Sequence, residues 1–345
     1  MAPLFMGDDE ELQALIQTHL ILPYLFGDFH PSHIQEYAGG LLFALEKPAK
    51  DGGGIRPIIC GESWRRCFAS LAANAVRGPI SHIFTSTYEN FLQTAGLQDG
   101  ASHCAKILSS MYAALNSDPS DPDVIIKLDI SNAFNVLCRQ LTLDVLGGKA
   151  SCDYACGLKE GDNIETVCEE LRNMFQYFRA MRTTKSHLRY FDYLLDAWGK
   201  TGGQQGDPLE MIVFCLTVHH LWGRTLNKHH QDACAVAYAD DGYIKAKLSV
   251  ALEVLSDIKH VLKEDAGLSL NFDSTQKSKT KFLVGYIGLG VPIGTDAFIQ
   301  HFVKDKCQAI MDDVDKLDNI QDGFIHYQLL RYSYGCSDNS KAPKT

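Results

Sequence analysis

Ala235-Val-Ala-Tyr-Ala-Asp-Asp-Gly-Tyr-Ile-Lys245 sets two adjacent carboxylates, Asp240 and Asp241, between two runs of strand-forming residues. Small and aromatic residues precede the pair, Asp241-Gly242 is a strong hairpin signal, and Tyr243-Ile244 restarts an extended strand. The spacing predicts a β-hairpin with both acids at its tip. Adjacent acids at a tight turn repel each other unless a positive group joins them, and a divalent cation is the natural partner. Taken alone, Asp-Asp-Gly more often marks a plain turn, so its meaning depends on what the rest of the chain brings beside it.

Upstream, Val124-Ile-Ile-Lys-Leu-Asp-Ile130 reads as a short apolar strand interrupted by charge. An aspartate at the end of a buried strand is costly unless paired or metal-bound, which marks Asp129. Gly202-Gly-Gln-Gln-Gly-Asp-Pro-Leu209 leads into an apolar helix from Glu210 to Trp222, with Pro208 suited to a first helical turn. An amphipathic helix from Val250 to Ala266 follows the hairpin, then strand character from Lys281 to Leu289, ending at Gly290-Val-Pro-Ile-Gly294. From residue 124 the order is strand, helices, strand, strand, helix, strand. That is the order of a ferredoxin-like split βαβ sheet, and it predicts an α+β fold. Its first and second strands are expected side by side, which would bring Asp129 close to Asp240 across a long stretch of chain.

The flanking regions are read the same way. Asp8 to Phe26 has apolar residues at helical spacing behind an acidic first turn, and packing is its expected role. Leu41–Glu46 and Ile55–Cys60 are strands around a glycine-rich turn, Pro48–Gly54, with Lys47 and Arg56 flanking the tip. Glu62–Ala75 and Gln98–Leu115 are helical in pattern, and Asn116–Asp123 is a loop. Gly147–Asp162 reads as a loop or insertion and Ile164–Met181 as a helix. Asp296–Tyr334 is helical and amphipathic, and Cys336–Thr345 a disordered polar tail.

At 345 residues and 46 % hydrophobic content the chain can bury a large core. Met1 to Glu11 carries acids where a secretory signal carries basic residues, and no apolar run reaches the roughly 20 residues of a membrane span. A soluble, intracellular protein is expected, with nucleus and cytoplasm both open and no membrane partner. Eleven cysteines, an odd number without a regular framework, fit reduced thiols. Cys152, Cys156 and Cys168 with His187 match no common zinc spacing, so a zinc site is rejected. The net charge of −10 is awkward for a nucleic-acid protein. Local basic groups exist: Lys47, Lys50, Arg56, Arg65, Arg66 and Arg77; Arg179, Arg182, Lys185 and Arg189; Lys277, Lys279 and Lys281. Any one of them alone is read as a solvated face.

Five segments occur in a telling order: Lys47 with Arg56-Pro-Ile, Leu128-Asp-Ile-Ser-Asn-Ala-Phe-Asn135, Gln204-Gln-Gly-Asp-Pro-Leu209, Tyr238-Ala-Asp-Asp241, and Gly267-Leu-Ser-Leu-Asn271. In this order the chain resembles the reverse transcriptases, most closely those of non-LTR retrotransposons and related retroelements, over about residues 40 to 335. The resemblance implies a right-hand polymerase core with a ferredoxin-like palm, fingers and a truncated helical thumb. It divides the chain into an N-terminal helical extension (1–39), fingers (40–123), a palm (124–294) with a finger-like helical insertion at about 147–200, a partial thumb (295–335) and the tail (336–345).

By the same resemblance, two Mg²⁺ ions, with Mn²⁺ as an alternative, are held by Asp129 and Asp240, with Asp241 supporting and the Ile130 carbonyl as a further ligand. The Asn132 and Ala133 amides face an incoming triphosphate. Phe134 lies under the nucleotide sugar and favours dNTP over rNTP; read on its own it is a core aromatic. Gln205 and Gly206 belong to a loop approached by the template base pair, and Lys47 and Arg56 clamp the triphosphate. A lysine that protonates the leaving pyrophosphate stands nearer the Leu-Asn pair in the family, whereas here lysine first returns at Lys277. The implied activity is RNA-directed DNA synthesis on an RNA template from a DNA or RNA primer, with a partner chain as one source of the missing thumb. The alternatives are an inactive RNA-binding retroelement relic and, disfavoured by Phe134, an RNA-directed RNA polymerase.

Overall fold

The computed structural model describes residues 10–23, 28, 30, 34–46, 55–115, 118, 120–147, 175–183, 186–190, 193–199, 201–204, 206–229, 231–270 and 285–317. The chain divides into two compact units, Met1–Ser274 and Thr275–Thr345. In the first unit the elements run α1 (Glu10–Ile16, continued by a π-turn, Gln17–Ile21), α2 (Ile34–Tyr37), β1 (Gly40–Glu46), β2 (Ile55–Gly61), α3 (Ser63–Ser86), β3 (Phe91–Gln93) and α4 (Gly100–Ala113). They continue as β4 (Asp123–Leu128), β5 (Ile130–Ser131), α5 (Ala133–Val136), α6 (Arg139–Leu146), α7 (Phe175–Thr183), β6 (Ser186–Tyr190) and β7 (Tyr193–Gly199). The unit closes with α8 (Pro208–Asn227), β8 (Ala233–Tyr238), β9 (Asp241–Lys247), α9 (Leu248–Ala266) and β10 (Ser269–Leu270).

The mixed helix-and-strand architecture agrees with the α+β expectation. A four-stranded sheet runs β3-β8-β9-β4. β9 is antiparallel to both β8 and β4, so it separates two parallel strands, the split βαβ arrangement. The first strand of the motif therefore lies beside the third, not beside the second as the sequence order suggested. A hairpin inserts its return arm, and the return arm is the strand that can face β4 in antiparallel register. The fourth strand falls elsewhere: β11 (Gly285–Gly288) pairs with β12 (Val291–Gly294) in the second unit, ahead of helix α10 (Asp296–Leu317).

The β1–β2 hairpin forms in the expected register, Glu46 opposite Ile55. It is extended by β6 and β7 into a second four-stranded sheet, β2-β1-β6-β7. Ser186–Tyr190 and Tyr193–Gly199, expected inside a helical insertion, are thus strands; the aromatic content of Tyr190, Tyr193 and Trp198 favours an extended chain. α1 forms where helical spacing predicted it, and none of its residues is fully buried. Residues 148–174, which hold most of the expected loop or insertion and the first part of the helix expected from Ile164, lie outside the described residues together with the expected tail 336–345 and Cys152, Cys156 and Cys168.

Helix α8 is the centre of the core. Asp207 caps it, its Oδ1 accepting from Leu209 N–H at 3.0 Å, and Pro208 occupies the first turn. Phe214, Leu216, Leu221 and Trp222 are fully buried, each contributing about 1.5–3 kcal/mol on leaving water. Thr217 and Thr225 satisfy their hydroxyls on the carbonyls of Val213 and Leu221, at 2.9 and 2.8 Å. The seven described cysteines are all free thiols. No helix among the described residues is long and apolar enough to cross a membrane.

Candidate functional site

Tyr238 pairs with Asp241, so the two-residue connection of the β8–β9 hairpin is Ala239-Asp240. The sequence put Asp241-Gly242 at the tip; both instead begin β9. Gly242 serves packing: a side chain there would run into the ring of Trp222. The left-handed backbone falls on Ala239, at φ 56°. For an L-residue with a side chain this conformation costs about 1–2 kcal/mol, and it persists only where surrounding contacts fix it. Gln93, fully buried at the end of β3, supplies them. Its Nε2 donates to the Ala239 carbonyl at 3.3 Å, and its Oε1 accepts from Ala239 N–H at 3.2 Å and from Ala95 N–H at 3.1 Å.

Asp129 follows β4 directly. Leu128 pairs with Gly242, so one further step of the register sets Asp129 opposite Asp241. The strand end and the hairpin turn thus meet at one end of one sheet, and Asp129 is exposed while Asp240 and Asp241 are half-buried. Lys127 Nζ stands 3.3 Å from Asp241 Oδ1 and 6.0 Å from the centre of the Tyr243 ring. The positive group that the adjacent acids require is therefore present for Asp241 in the chain itself.

β10 pairs Leu270 with Ile130 and Ser269 with Ser131, pinning the segment behind Asp129. Gly267, at φ 67°, ends α9 and turns the chain into that pairing. The Gly267-to-Leu270 part of the sequence motif is thus a helix stop and a brace, and Asn271 lies outside the described residues.

Two buried thiols lie under the turn. Burial pushes Cys104 up to about 12, with Thr94 pulling the other way and Asp241 adding to the rise. Cys215, on α8, is also raised, first by burial and then by the charge of Asp240. Both stay protonated near neutrality, and neither is a soft metal ligand in that state.

Asn132 is exposed and left-handed at φ 49°, and Ala133 is buried as the first residue of α5. Phe134 is half-buried and packs on Phe214, ring centres 4.5 Å apart. The loop before α8 docks on this turn: Gly203 N–H donates to Phe134 O at 2.8 Å and Gly202 N–H to Leu137 O at 3.1 Å. Gly206 continues to β2, where a Cβ would meet the Ile59 carbonyl at 2.7 Å. The close approach that requires glycine there is made by the chain's own backbone.

Arg65 and Arg182, read from sequence as members of surface basic groups, are buried. Arg65 Nε and Nη2 bind Asp207 Oδ2 at 3.0 and 2.9 Å, and Nη1 donates to Ala38 O at 3.2 Å. Arg182 Nη2 binds Glu210 Oε2 at 2.7 Å. Burial would lower Arg65, but Asp207 and Tyr177 hold it above its ordinary value. Arg139 is lowered to about 10 by burial and then by Arg182, with Glu210 opposing. The space among these groups is about 20 Å³, room for a water and not for a substrate. They are a buried ionic brace joining α3, α7 and the start of α8.

Lys47, Gln205 and Lys277 lie outside the described residues, and Arg56 is set by its backbone opposite Leu45. Among the described residues no three His, Cys, Asp or Glu side chains gather as a metal cluster. Three contributors escaped the sequence reading. Lys127 was within reach of it, because residues two apart on a strand share a face with Asp129. Gln93 and the Arg65–Asp207 pair depend on contacts between distant segments.

No protein-family model matches the chain, and no curated protein matches its sequence. Among solved structures its fold is similar to those of telomerases, at low sequence identity. The neighbours are telomerases: that of Candida albicans in complex with the TWJ fragment of telomeric RNA, at 16 % identity over 78 % of this chain and 46 % of that one, with a TM-score of 0.50. Apo telomerase from Candida tropicalis aligns at 12 % identity over 84 % of this chain and 53 % of that one, with a TM-score of 0.49. The chain spans about half the length of these telomerases. The likeness concerns fold, and it does not mark the non-LTR kind within the class.

Proposed function

We propose that this chain is an RNA-directed DNA polymerase of the non-LTR retroelement kind, extending a DNA or RNA primer on an RNA template with dNTPs. The observation that carries the reading is the meeting of Asp129 and the Asp240–Asp241 hairpin at one end of a single sheet, within a reverse-transcriptase-like fold. Residues 40–123 are then fingers, 124–294 the palm and 295–335 part of a thumb. RNA binding is supported by the neighbour solved with a fragment of telomeric RNA.

The donor set is hard oxygen: one exposed and one half-buried carboxylate, and a backbone carbonyl. Mg²⁺ suits such a set, since it takes one or two carboxylates and completes its shell with water and substrate phosphate. Asp129 and Asp240 would hold two Mg²⁺ (or Mn²⁺) ions with the Ile130 carbonyl, and Asp241, shared with Lys127, supports them. Such ions, when bound, activate the primer 3′-hydroxyl and stabilise the leaving pyrophosphate. The chain's own residues orient the reactants. The Asn132 and Ala133 amides receive the triphosphate, Lys47 and Arg56 clamp it, and Phe134 excludes a 2′-hydroxyl. Gln205 borders the template base pair, Gly206 seats its loop against β2, and Lys277 is the proton donor to pyrophosphate.

Primer extension on a defined RNA template tests this. The wild type should extend with dNTPs, and Asp240→Asn should fall to background while still binding RNA. Extension that persists in Asp240→Asn overturns the reading. Salt-sensitive RNA binding without extension in the wild type favours the inactive relic instead.

A further inference from the structure

Gln93 lies far from the hairpin in sequence, yet it holds both backbone polar groups of Ala239, the residue before Asp240. The grip is selective. A side-chain amide carries a donor and an acceptor at one tip, and so satisfies a neighbouring N–H and C=O together. Gln93 is fully buried and Ala239 is 3 % exposed, so water cannot replace either bond. Its position is itself braced: Thr94 donates to Ala237 O through its amide at 2.8 Å and its hydroxyl at 2.9 Å. Gly100 leaves room for this strand, since a side chain there would run into the Thr94 carbonyl.

Ala239 pays a conformational penalty that nothing in its own side chain offsets. A left-handed alanine in a free hairpin would relax to another turn, and the direction of Asp240 would change with it. We propose that Gln93 is a positioning residue that locks the Ala239 turn and thereby fixes the direction of the Asp240 carboxylate. Its role in the reaction rests on the polymerase reading; the lock itself does not.

Two readouts separate these levels. In Gln93→Leu, exchange of the Ala239 amide should accelerate about tenfold, the loss of roughly one hydrogen bond's net stability, while the Ile126 and Ile244 amides keep their rates. Gln93→Glu, which in the protonated form that burial favours keeps an O–H donor and a carbonyl acceptor, should give a smaller acceleration and serves if the leucine variant does not fold. In primer extension, kcat should fall about tenfold with the dNTP KM nearly unchanged, because the carboxylate is misdirected and the nucleotide contacts are intact. The metal concentration for half-maximal rate should rise. Adding Ala239→Gly to Gln93→Leu should restore part of kcat, since glycine adopts this backbone without penalty.

Unchanged Ala239 exchange overturns the lock. Faster exchange with unchanged kcat and metal requirement overturns positioning. A wild type that extends no primer overturns the polymerase reading, and the exchange result then decides the lock by itself.

Discussion

Arg65→Met tests the buried brace beside α8. The substitution keeps most of the apolar stem but removes three contacts: two to Asp207 Oδ2, at 3.0 and 2.9 Å, and one to Ala38 O at 3.2 Å. Both partners of the pair are nearly shielded, with side chains 7 % and 6 % exposed, so the remaining carboxylate stays buried with Leu209 N–H donating to its Oδ1. Breaking such a pair from one side costs about 3–5 kcal/mol. For a unit of this size each kcal/mol moves Tm by roughly 2–4 °C, so a fall of about 6–20 °C is expected. Denaturant unfolding at constant m-value is the assay. Asp207→Asn keeps an oxygen for the helix cap, so a cycle with Arg65→Met isolates the ionic part. The double variant should recover at least about 1.5 kcal/mol relative to the sum of the singles. A single-variant cost below about 1 kcal/mol, or additivity across the cycle, would refute the brace.

Acid should loosen the α3–α8 interface. His219 sits among Phe84, Tyr88 and Phe91, ring centres 5.1–5.2 Å away, and burial holds it down to about 3. The unfolded chain binds a proton near pH 6.5 and the folded chain does not, so stability is undiminished above that pH and falls by about 1.4 kcal/mol per unit below it, down to about pH 3. His219→Phe should lower the slope between pH 6 and 4 in urea melts by about that amount, leaving the part due to His220, which burial also holds well below its ordinary value; an unchanged slope counts against a neutral buried His219. Gly242→Ala should destabilise by about 1–3 kcal/mol through collision with Trp222, and Trp222→Leu should relieve it; equal melting midpoints for Gly242→Ala and wild type would disprove the contact. Phe134→Ala should raise rNTP use in competition assays and cost about 1–3 kcal/mol through the lost Phe214 contact; lower stability with unchanged nucleotide preference would make Phe134 a core aromatic only.

Much of the architecture was readable in the chain because its signals are local. Short strand-forming runs bounded by turn residues mark β4, β8 and β9, and the hairpin arms of β1 and β2. Asp207-Pro208 marks the start of α8, and Gly267 the end of α9. The split βαβ order follows from the succession of these elements, and with it the meeting of Asp129 and the Asp240–Asp241 hairpin.

What the sequence misjudged needed neighbours from elsewhere. Arg65 and Arg182 have the composition of a basic surface, and only the facing Asp207 and Glu210 make their burial tolerable. Gly206 looked open to a ligand, and the Ile59 carbonyl is what stands there. In the Asp-Asp-Gly turn, local propensity favoured Gly242 at the tip, but the Trp222 ring claims that glycine for packing and leaves Ala239 to take the left-handed backbone. That exchange is possible because Gln93 meets the turn from another strand.

The sequence by itself determined the α+β order, the start of α8, the end of α9 and the acids that share one end of a sheet, because each rests on period, capping or succession within a few residues. Only the tertiary structure decided which strand separates β4 from β8, which cation answers Asp241, and which buried amide holds Ala239. Those are pairings across the chain, where satisfaction of a buried polar group or charge depends on a partner that no local pattern names.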